Sequence, residues 1–268
     1  MSDPDRKLIE ELVEPLRSDP AGAAVLLDID GTLAPIAGRP EDVEVAAPTV
    51  ELVRSLNARY GLVACVSGRR AEDARRIVGI TELHYAGNHG FERLRPGDEE
   101  ASPDPALAGA TGDASGLVDE LGRGRIEAEG LRVEDKGPIQ AIHWRGSQSP
   151  RRAEAFAERI ASRAQAAGLD AHFGRMIIEL RPMVDVSKGS AVRALLGGEF
   201  HLALYGGDDR TDLDAFAALD ALVAEGALGH AVKVGVEAPD GPPELPESAD
   251  LMVSGPDGFV AVLEALAR

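Results

Sequence analysis

Two carboxylates stand one residue apart, Asp28 and Asp30, where the apolar run Val25-Leu26-Leu27 ends and Gly31, Thr32 and Leu33 follow. Carboxylates at the end of a buried strand are costly unless they hold a cation or do chemistry. A carboxylate held on magnesium can attack phosphorus in line. A second carboxyl two residues on can protonate the leaving oxygen and then deprotonate the hydrolytic water. Asp28 suits the first role and Asp30 the second. Gly31 lets the backbone turn closely around a phosphate, and Thr32 offers a hydroxyl there. Far downstream, His201-Leu202-Ala203-Leu204-Tyr205 runs into Gly206-Gly207-Asp208-Asp209, with Asp212 close behind. Two acidic strand ends in one α/β chain point to a single magnesium site built from distant segments.

Within that site Asp208 is the candidate direct ligand beside Asp28 and the Asp30 carbonyl. Asp209 and Asp212 either orient metal-bound water or cap the helix that begins near Thr211. Oxygen ligands without a Cys/His cluster favour magnesium over zinc. Val66-Ser67-Gly68-Arg69 also follows a strand. Ser67 there can hydrogen-bond a phosphoryl oxygen beside a helix N-terminus, or serve as an ordinary helix cap. Arg69 can contact substrate or pin a helix. A serine-hydrolase elbow is excluded, because Cys65 and Arg69 stand where that motif needs glycines. Lys188 opens a helix pattern, where the dipole disfavours a cation, so it calls for an anion such as a phosphoryl group together with Asp28.

The elements that must carry these residues alternate. Helix-patterned Leu8 to Leu16 precedes a strand at Ala24 to Asp28, and Pro48 opens a helix to about Arg59. The strand Leu62 to Val66, a helix Arg70 to Val78 and a strand Leu83 to Ala86 follow. Such alternation predicts a mostly parallel sheet covered by helices. Pro96 to Pro105, acidic and proline-rich, reads as a loop, and a helix is expected around Leu107 to Leu121. Strands then come in pairs. Leu131 to Asp135 and Gln140 to Arg145 flank Lys136-Gly137-Pro138, a hairpin signal. A helix from Arg152 to Ala167 leads to Asp170 to Phe173 and Met176 to Arg181, with Gly174 between. Two hairpins and two helices make an α+β module inserted in the larger domain. The α/β alternation resumes after Pro182: helix Lys188 to Leu196, strand His201 to Tyr205, helix Thr211 to Leu219, strand Ala231 to Val236, strand Leu251 to Val253 and a last helix from Pro256.

The 268 residues are enough for one large domain or two modest ones, and no apolar run approaches membrane-spanning length. The N-terminal stretch lacks the form of a secretory signal, and the single cysteine, Cys65, lies in an apolar run and reads as core. A cytoplasmic location is the expectation. With 46 acidic against 28 basic side chains the net charge is −18, which argues against nucleic-acid and anionic-membrane partners. An anionic substrate must then be met by a metal and a few focused cations.

Asp-x-Asp-Gly-Thr-Leu, Ser-Gly-Arg, Lys-Gly and Gly-Asp-Asp, in this order, resemble the four motifs of the haloacid dehalogenase superfamily of phosphatases. A narrower resemblance is to trehalose-6-phosphate phosphatases. It is carried by Ala86-Gly87-Asn88-His89-Gly90-Phe91-Glu92, Val133 to Gly137, Ala141 to Arg145, Ile178 to Pro182 and Gly207 to Phe216. One departure is Leu213, where that family usually has Glu, outside the catalytic positions.

The resemblance implies an α/β fold. Its parts are a Rossmann-like core of residues 1–102 and 184–268 with a mostly parallel sheet, and an α+β cap domain at 103–183. It implies magnesium-dependent hydrolysis of trehalose 6-phosphate to trehalose and phosphate through an aspartyl-phosphate. A monomer with a functional link to a trehalose-6-phosphate synthase is the expectation for partners, though the residues themselves reveal neither. Asp28, Asp30, Ser67 and Lys188 would be catalytic, with Thr32 and Arg69 at the phosphate. Sugar contacts would fall to Lys136, His143, Arg145 and Glu179 of the cap, with Asn88 and His89 at the cap-facing edge of the core. A disaccharide needs both donors and acceptors, and a carboxylate accepts two hydroxyls at once. Strand alternation leaves another reading open, in which His143, Arg145 and Glu179 simply face solvent. Two other functions compete: a phosphatase for another sugar phosphate, such as sucrose 6-phosphate or mannosyl-3-phosphoglycerate, and a phospho-accepting signalling domain.

Overall fold

The structure, a computed structural model, describes residues 3–110, 112–174 and 176–268. Among them the strands are β1 (Ala23–Leu27), β2 (Leu62–Val66), β3 (His84–Gly87), β4 (Glu92–Leu94), β5 (Ser102–Pro103), β6 (Arg132–Lys136), β7 (Ile139–His143), β8 (Leu169–Gly174), β9 (Ile177–Pro182), β10 (Leu202–Gly207), β11 (His230–Val236) and β12 (Leu251–Val253). The helices are α1 (Asp3–Ser18), α2 (Ala47–Asn57), α3 (Ala71–Val78), α4 (Ala114–Leu121), α5 (Arg123–Ala128), α6 (Pro150–Ala166), α7 (Lys188–Leu196), α8 (Asp212–Ala224), α9 (Leu245–Ser248) and α10 (Gly255–Ala267). Two compact units result: Met1–Pro103 with Val186–Arg268, and Asp104–Asp185. No described helix is long and apolar enough to cross a membrane.

The first unit is built on one sheet, in the order β12-β11-β10-β1-β2-β3-β4-β5, parallel as far as β3. β1 is wholly buried because both sheet faces are covered, which is why its sequence is continuously apolar rather than alternating. Val25 and Leu27 pack in one core cluster with α1, α2 and α10 residues such as Val13, Val53 and Val262. Ala24 and Leu26 face Val192 of α7 and Phe216 of α8. Leu27 is level with both Gly206 of β10 and Cys65 of β2. The residues just past these three strand ends, Asp28, Ser67 and Asp208, therefore emerge together where the strand order turns back on β1, the usual ligand-binding edge of such sheets.

The second unit is an antiparallel sheet, β6-β7-β9-β8. Ile142, Trp144, Ile178 and Leu180 bury one face against Ala153, Phe156 and Ile160 of α6 and Val118 of α4. Lys136 pairs with Ile139 across a two-residue turn in which Gly137 takes φ 76. A positive φ at the first turn residue matches the twist of the flanking strands, which only glycine supplies cheaply.

Several elements differ from the sequence reading. The stretch Pro96 to Pro105 is not all loop: Ser102 pairs with Arg93, so β4 and β5 extend the sheet antiparallel. Both strands are too short to show a period. The helix expected at Leu107 to Leu121 is broken. A 3-10 turn, Pro105–Gly109, is capped by Asp104, and α4 is capped separately by Asp113; α5 then follows Gly122 at φ 81. Each of the two capping carboxylates satisfies a helix N-terminus of its own, so the one expected helix becomes two pieces, with α5 a further short helix beyond it. The inserted unit runs Asp104–Asp185, and Gly174 belongs to β8 rather than to the turn after it.

Candidate active site

Lys188 is the hub of the site. It is the first residue of α7, whose start is a reciprocal capping box between Ser187 and Ser190. Its ammonium lies 2.7 Å from Asp28 Oδ1 and 2.7 Å from Asp212 Oδ1, with 2% of its side chain exposed. Burial works against that charge, but the Asp212 and Asp28 carboxylates outweigh it and hold the lysine well above its ordinary pKa. Removing one partner of such a buried ion pair costs about 3–5 kcal/mol, because the other charge is left uncompensated.

Asp212 is the anchor behind it. Its Oδ1 accepts from Lys188 and from the Tyr205 hydroxyl at 2.6 Å, and its Oδ2 accepts from the Asp208 and Asp209 amides, each at 2.9 Å. Four donors occupy this carboxylate. Asp209 plays the capping part: its Oδ1 accepts from the Thr211 amide at 2.8 Å and hydroxyl at 2.7 Å and from the Asp212 amide at 3.1 Å. Burial opposes its charge, yet Lys188, the bonds from Thr211 and Asp212, and His89 together lower its pKa.

Asp28, Asp208 and Asp212 offer oxygens that all lie within 4.8 Å of one another. Burial raises the pKa of Asp28 well above the carboxylate range despite Lys188, and the carboxylates of Asp212, Asp208 and Asp209 add to the effect. Asp208 is pushed up to about 7, first by burial, then by Asp212 and Asp209. Crowded acids of this kind fit a divalent cation with oxygen ligands, which would offset both the burial and the mutual repulsion that raise them. The backbone makes room for the group: Gly31 has φ 85, and a Cβ there would lie 2.2 Å from Asp208 Oδ2. Asp28 and Asp208 keep oxygens for a cation, whereas Asp212 has spent its own on Lys188 and the backbone.

The remaining core candidates fall into place around this centre. Thr32 donates from its hydroxyl to Asp208 Oδ1 at 3.1 Å. Ser67 is buried, with its Oγ accepting the Arg69 amide at 3.2 Å. It does not cap α3, which begins only at Ala71, and the carboxylate of Glu92 takes the Ala71 amide at 2.6 Å. Asp30 and Arg69 face each other as a fork, Nε to Oδ2 and Nη2 to Oδ1, both 2.6 Å. Asn88 and His89 adopt φ 49 and 58, a conformation non-glycine residues rarely take. Their amides donate to the carbonyls of Arg69 and Ser67 at 2.6 and 2.9 Å, tying this strained turn to the Ser67 loop.

In the second unit the sheet face opposite α6 carries the polar candidates. Lys136 Nζ lies 2.9 Å from Glu179 Oε1, while Arg181 bonds Glu179 Oε2. Glu179 is 6% exposed, so the reading that it faces solvent is set aside. His143 pairs with Glu134 at 2.8 Å, a bond that lowers the glutamate's pKa. Arg145 is exposed past the end of β7. Sequence reasoning passed over Tyr205, Glu92, Glu134 and Arg181. The i, i+2 spacing from Glu179 could have found Arg181, and Glu134 stands two residues before Lys136. Tyr205 gave no signal beyond an apolar strand end.

With this geometry in hand, likeness to known proteins is specific. A trehalose-phosphate phosphatase of Mycobacterium avium is 37% identical over 209 residues, which cover 73% of this chain and 51% of that protein. An uncharacterized glycosyl hydrolase of Mycobacterium tuberculosis is 36% identical over 209 residues, covering 73% of this chain and 15% of its own length. The chain thus spans about half or less of the length of these relatives. Among solved structures, a trehalose-6-phosphate phosphatase related protein superposes with a TM-score of 0.68 at 26% identity, over 91% of this chain and 95% of the other. A haloacid dehalogenase-like hydrolase of Bacteroides thetaiotaomicron shares the fold, with a TM-score of 0.62 at 13% identity over 91% of this chain and 97% of the other. The sequence model of the trehalose-phosphatase family matches residues 26–240, from within β1 to beyond β11 and so across every acidic strand end described above. By that match, the chain belongs to the trehalose-phosphatase family.

Proposed function

We propose that the chain hydrolyses trehalose 6-phosphate to trehalose and inorganic phosphate. The observation that carries the reading is the convergence of Asp28, Lys188 and Asp208 at one sheet edge in a chain of this family. Asp28 Oδ attacks phosphorus while the bond from phosphorus to the sugar oxygen breaks, and Asp30 gives that oxygen its proton. Water then attacks the aspartyl-phosphate, Asp30 takes the water's proton, and phosphate leaves from a regenerated Asp28. Lys188 and Ser67 hold phosphoryl oxygens as charge redistributes, and Lys188 keeps Asp28 oriented for in-line attack. Magnesium, bound by Asp28, Asp208 and the Asp30 carbonyl, would supply Lewis-acid stabilisation of the phosphoryl charge. Asp212 and Asp209 shape the site from behind.

Sugar recognition is assigned to Lys136, His143, Arg145 and Glu179, with Arg181 added, and to Asn88 and His89. Glu179 between two cations is a fixed acceptor for sugar hydroxyls. The chain acts on this reading as a monomer downstream of a trehalose-6-phosphate synthase. The test is phosphate release from trehalose 6-phosphate, with and without EDTA, against glucose 6-phosphate and sucrose 6-phosphate. Fast, EDTA-sensitive release from the trehalose ester alone is expected. Faster release from sucrose 6-phosphate would transfer the reading to another sugar phosphate, and a stable phosphorylated Asp28 without turnover would transfer it to a signalling domain.

A further inference from the structure

We propose that Arg69 is a positioning residue for Asp30: it parks the acid–base carboxylate in the free protein and exchanges onto the phosphoryl group when an ester arrives. The inference deepens the phosphatase reading and rests on it. Both oxygens of Asp30 face one guanidinium at 2.6 Å, so neither is aimed at a leaving oxygen.

Two features make the pair exchangeable rather than locked. Its side chains are 15% and 35% exposed, so water screens the charges and the hold is modest. The backbone at Asp30 is also held independently of Arg69, because Gly31 donates to the Ala34 carbonyl at 2.8 Å and Ala34 to the Ile29 carbonyl at 2.9 Å. Only side-chain torsions need change.

The guanidinium is placed for the alternative partner. The Arg69 amide touches Ser67 Oγ at 3.2 Å, and the Arg69 carbonyl is held by the Asn88 amide at 2.6 Å. Its Cα is thereby anchored beside Ser67, while its fork reaches a residue two positions from Asp28. A planar fork meets a phosphate with two parallel bonds, and a dianion outcompetes a single carboxylate for it. No covalent bond changes in the exchange; one ion pair replaces another. Arrival of substrate thus frees both Asp30 oxygens, and the released carboxylate takes a proton from solvent before giving it to the leaving oxygen.

Competition of this kind is read by a double-mutant cycle on the binding of inorganic phosphate, measured by calorimetry in magnesium buffer. Asp30→Asn removes the competitor and is expected to tighten phosphate about tenfold, and Arg69→Gln to weaken it about tenfold. In the Arg69→Gln background, Asp30→Asn is expected to tighten phosphate less than about threefold, the residue of simple charge repulsion. Equal tightening in both backgrounds, or no weakening by Arg69→Gln, overturns the proposal. Arg69→Lys keeps the charge without the fork and replaces Arg69→Gln should that variant not fold; a cycle without coupling there is equally fatal. Phosphate carries no sugar, so a failed trehalose 6-phosphate assay leaves this cycle readable.

Discussion

The hydroxyl of Tyr205 donates at 2.6 Å to the same Asp212 oxygen that receives the Lys188 ammonium. Tyr205 lies on β10, fully buried, with its ring edge-on to Phe216 at 5.9 Å. It reaches the reaction only through Asp212 and Lys188, so it is a positioning group. Tyr205→Phe keeps the ring packing and deletes one of four donors to Asp212. A stability loss of about 1–2 kcal/mol is expected from the under-satisfied carboxylate. A fall in kcat of about tenfold at nearly constant KM should accompany it, since Lys188 is then less well aimed. Thermal melts and steady-state kinetics check both, and an unchanged kcat removes Tyr205 from the positioning chain.

Asp28→Asn separates chemistry from folding. The side chain is buried and its pKa is raised, but it is also one of the two carboxylates that hold the Lys188 ammonium. A neutral isostere should therefore lower stability by no more than the ~3–5 kcal/mol of a broken buried pair, with Asp212 still holding the lysine and the fold retained. Turnover should nevertheless fall by more than about a thousandfold, because an amide cannot form the aspartyl-phosphate. Residual activity above that level counts against nucleophilic attack by Asp28.

Which parts of this arrangement the sequence made legible follows from physical range. The limits of β2 and α7, Leu62–Val66 and Lys188–Leu196, coincide with the apolar run and the helical pattern because both signals are local. Asp28 and Asp208 were conspicuous as carboxylates ending apolar runs, an expense visible without coordinates. The partner of Arg69 was not, since Asp30 is 39 residues away and only tertiary packing joins them. Nor was the left-handed turn at Asn88 and His89, because asparagine and histidine give no glycine-like warning of a positive φ. Tyr205 was hidden differently: an aromatic residue in a buried strand reads as core, and its hydroxyl matters only once Asp212 folds back from α8.

Protons and a divalent ion would compete for the oxygens of Asp28 and Asp208. Asp208 has its pKa raised from 3.8 to about 7, so between those values the native state binds a proton that the unfolded chain has released. The Asp208 contribution to stability of the metal-free protein should therefore fall as pH rises from about 4 to 7, by up to about 1.4 kcal/mol per unit, and be fully lost above 7. Magnesium needs the ionised form. Its apparent affinity should weaken up to about tenfold per unit as pH drops below 7. Melting curves across pH, with EDTA and with magnesium, test the two trends together. Coincident curves would mean that Asp208 does not meet the ion.

On the proposed reading, sugar selection falls to the second unit and phosphoryl chemistry to the first, so the two should be separable by mutation. Glu179→Gln keeps one acceptor but removes the charge shared by Lys136 and Arg181. KM for trehalose 6-phosphate is expected to rise about tenfold or more, the loss of one charge-assisted hydrogen bond of roughly 1.5–3 kcal/mol. Hydrolysis of p-nitrophenyl phosphate, which has no sugar, should stay within about twofold. Parallel loss on both substrates would assign Glu179 to the stability of its sheet instead.

The net charge of −18 finally sets the sign of a salt effect. A phosphate monoester dianion approaching this surface meets a repulsive field at long range, and salt screens exposed charges beyond about 10 Å at 0.1 M. Lys188 is buried and already shared by Asp28 and Asp212, and the guanidinium of Arg69 rests on Asp30. Neither projects an attractive field outward. Raising sodium chloride from 20 to 200 mM at constant magnesium should therefore increase kcat/KM about two- to fivefold, with kcat changing little once substrate is bound. A rate that falls with salt would require cations steering the substrate from outside the site, contrary to a centre in which each cation is held by its own carboxylates until the ester displaces one of them.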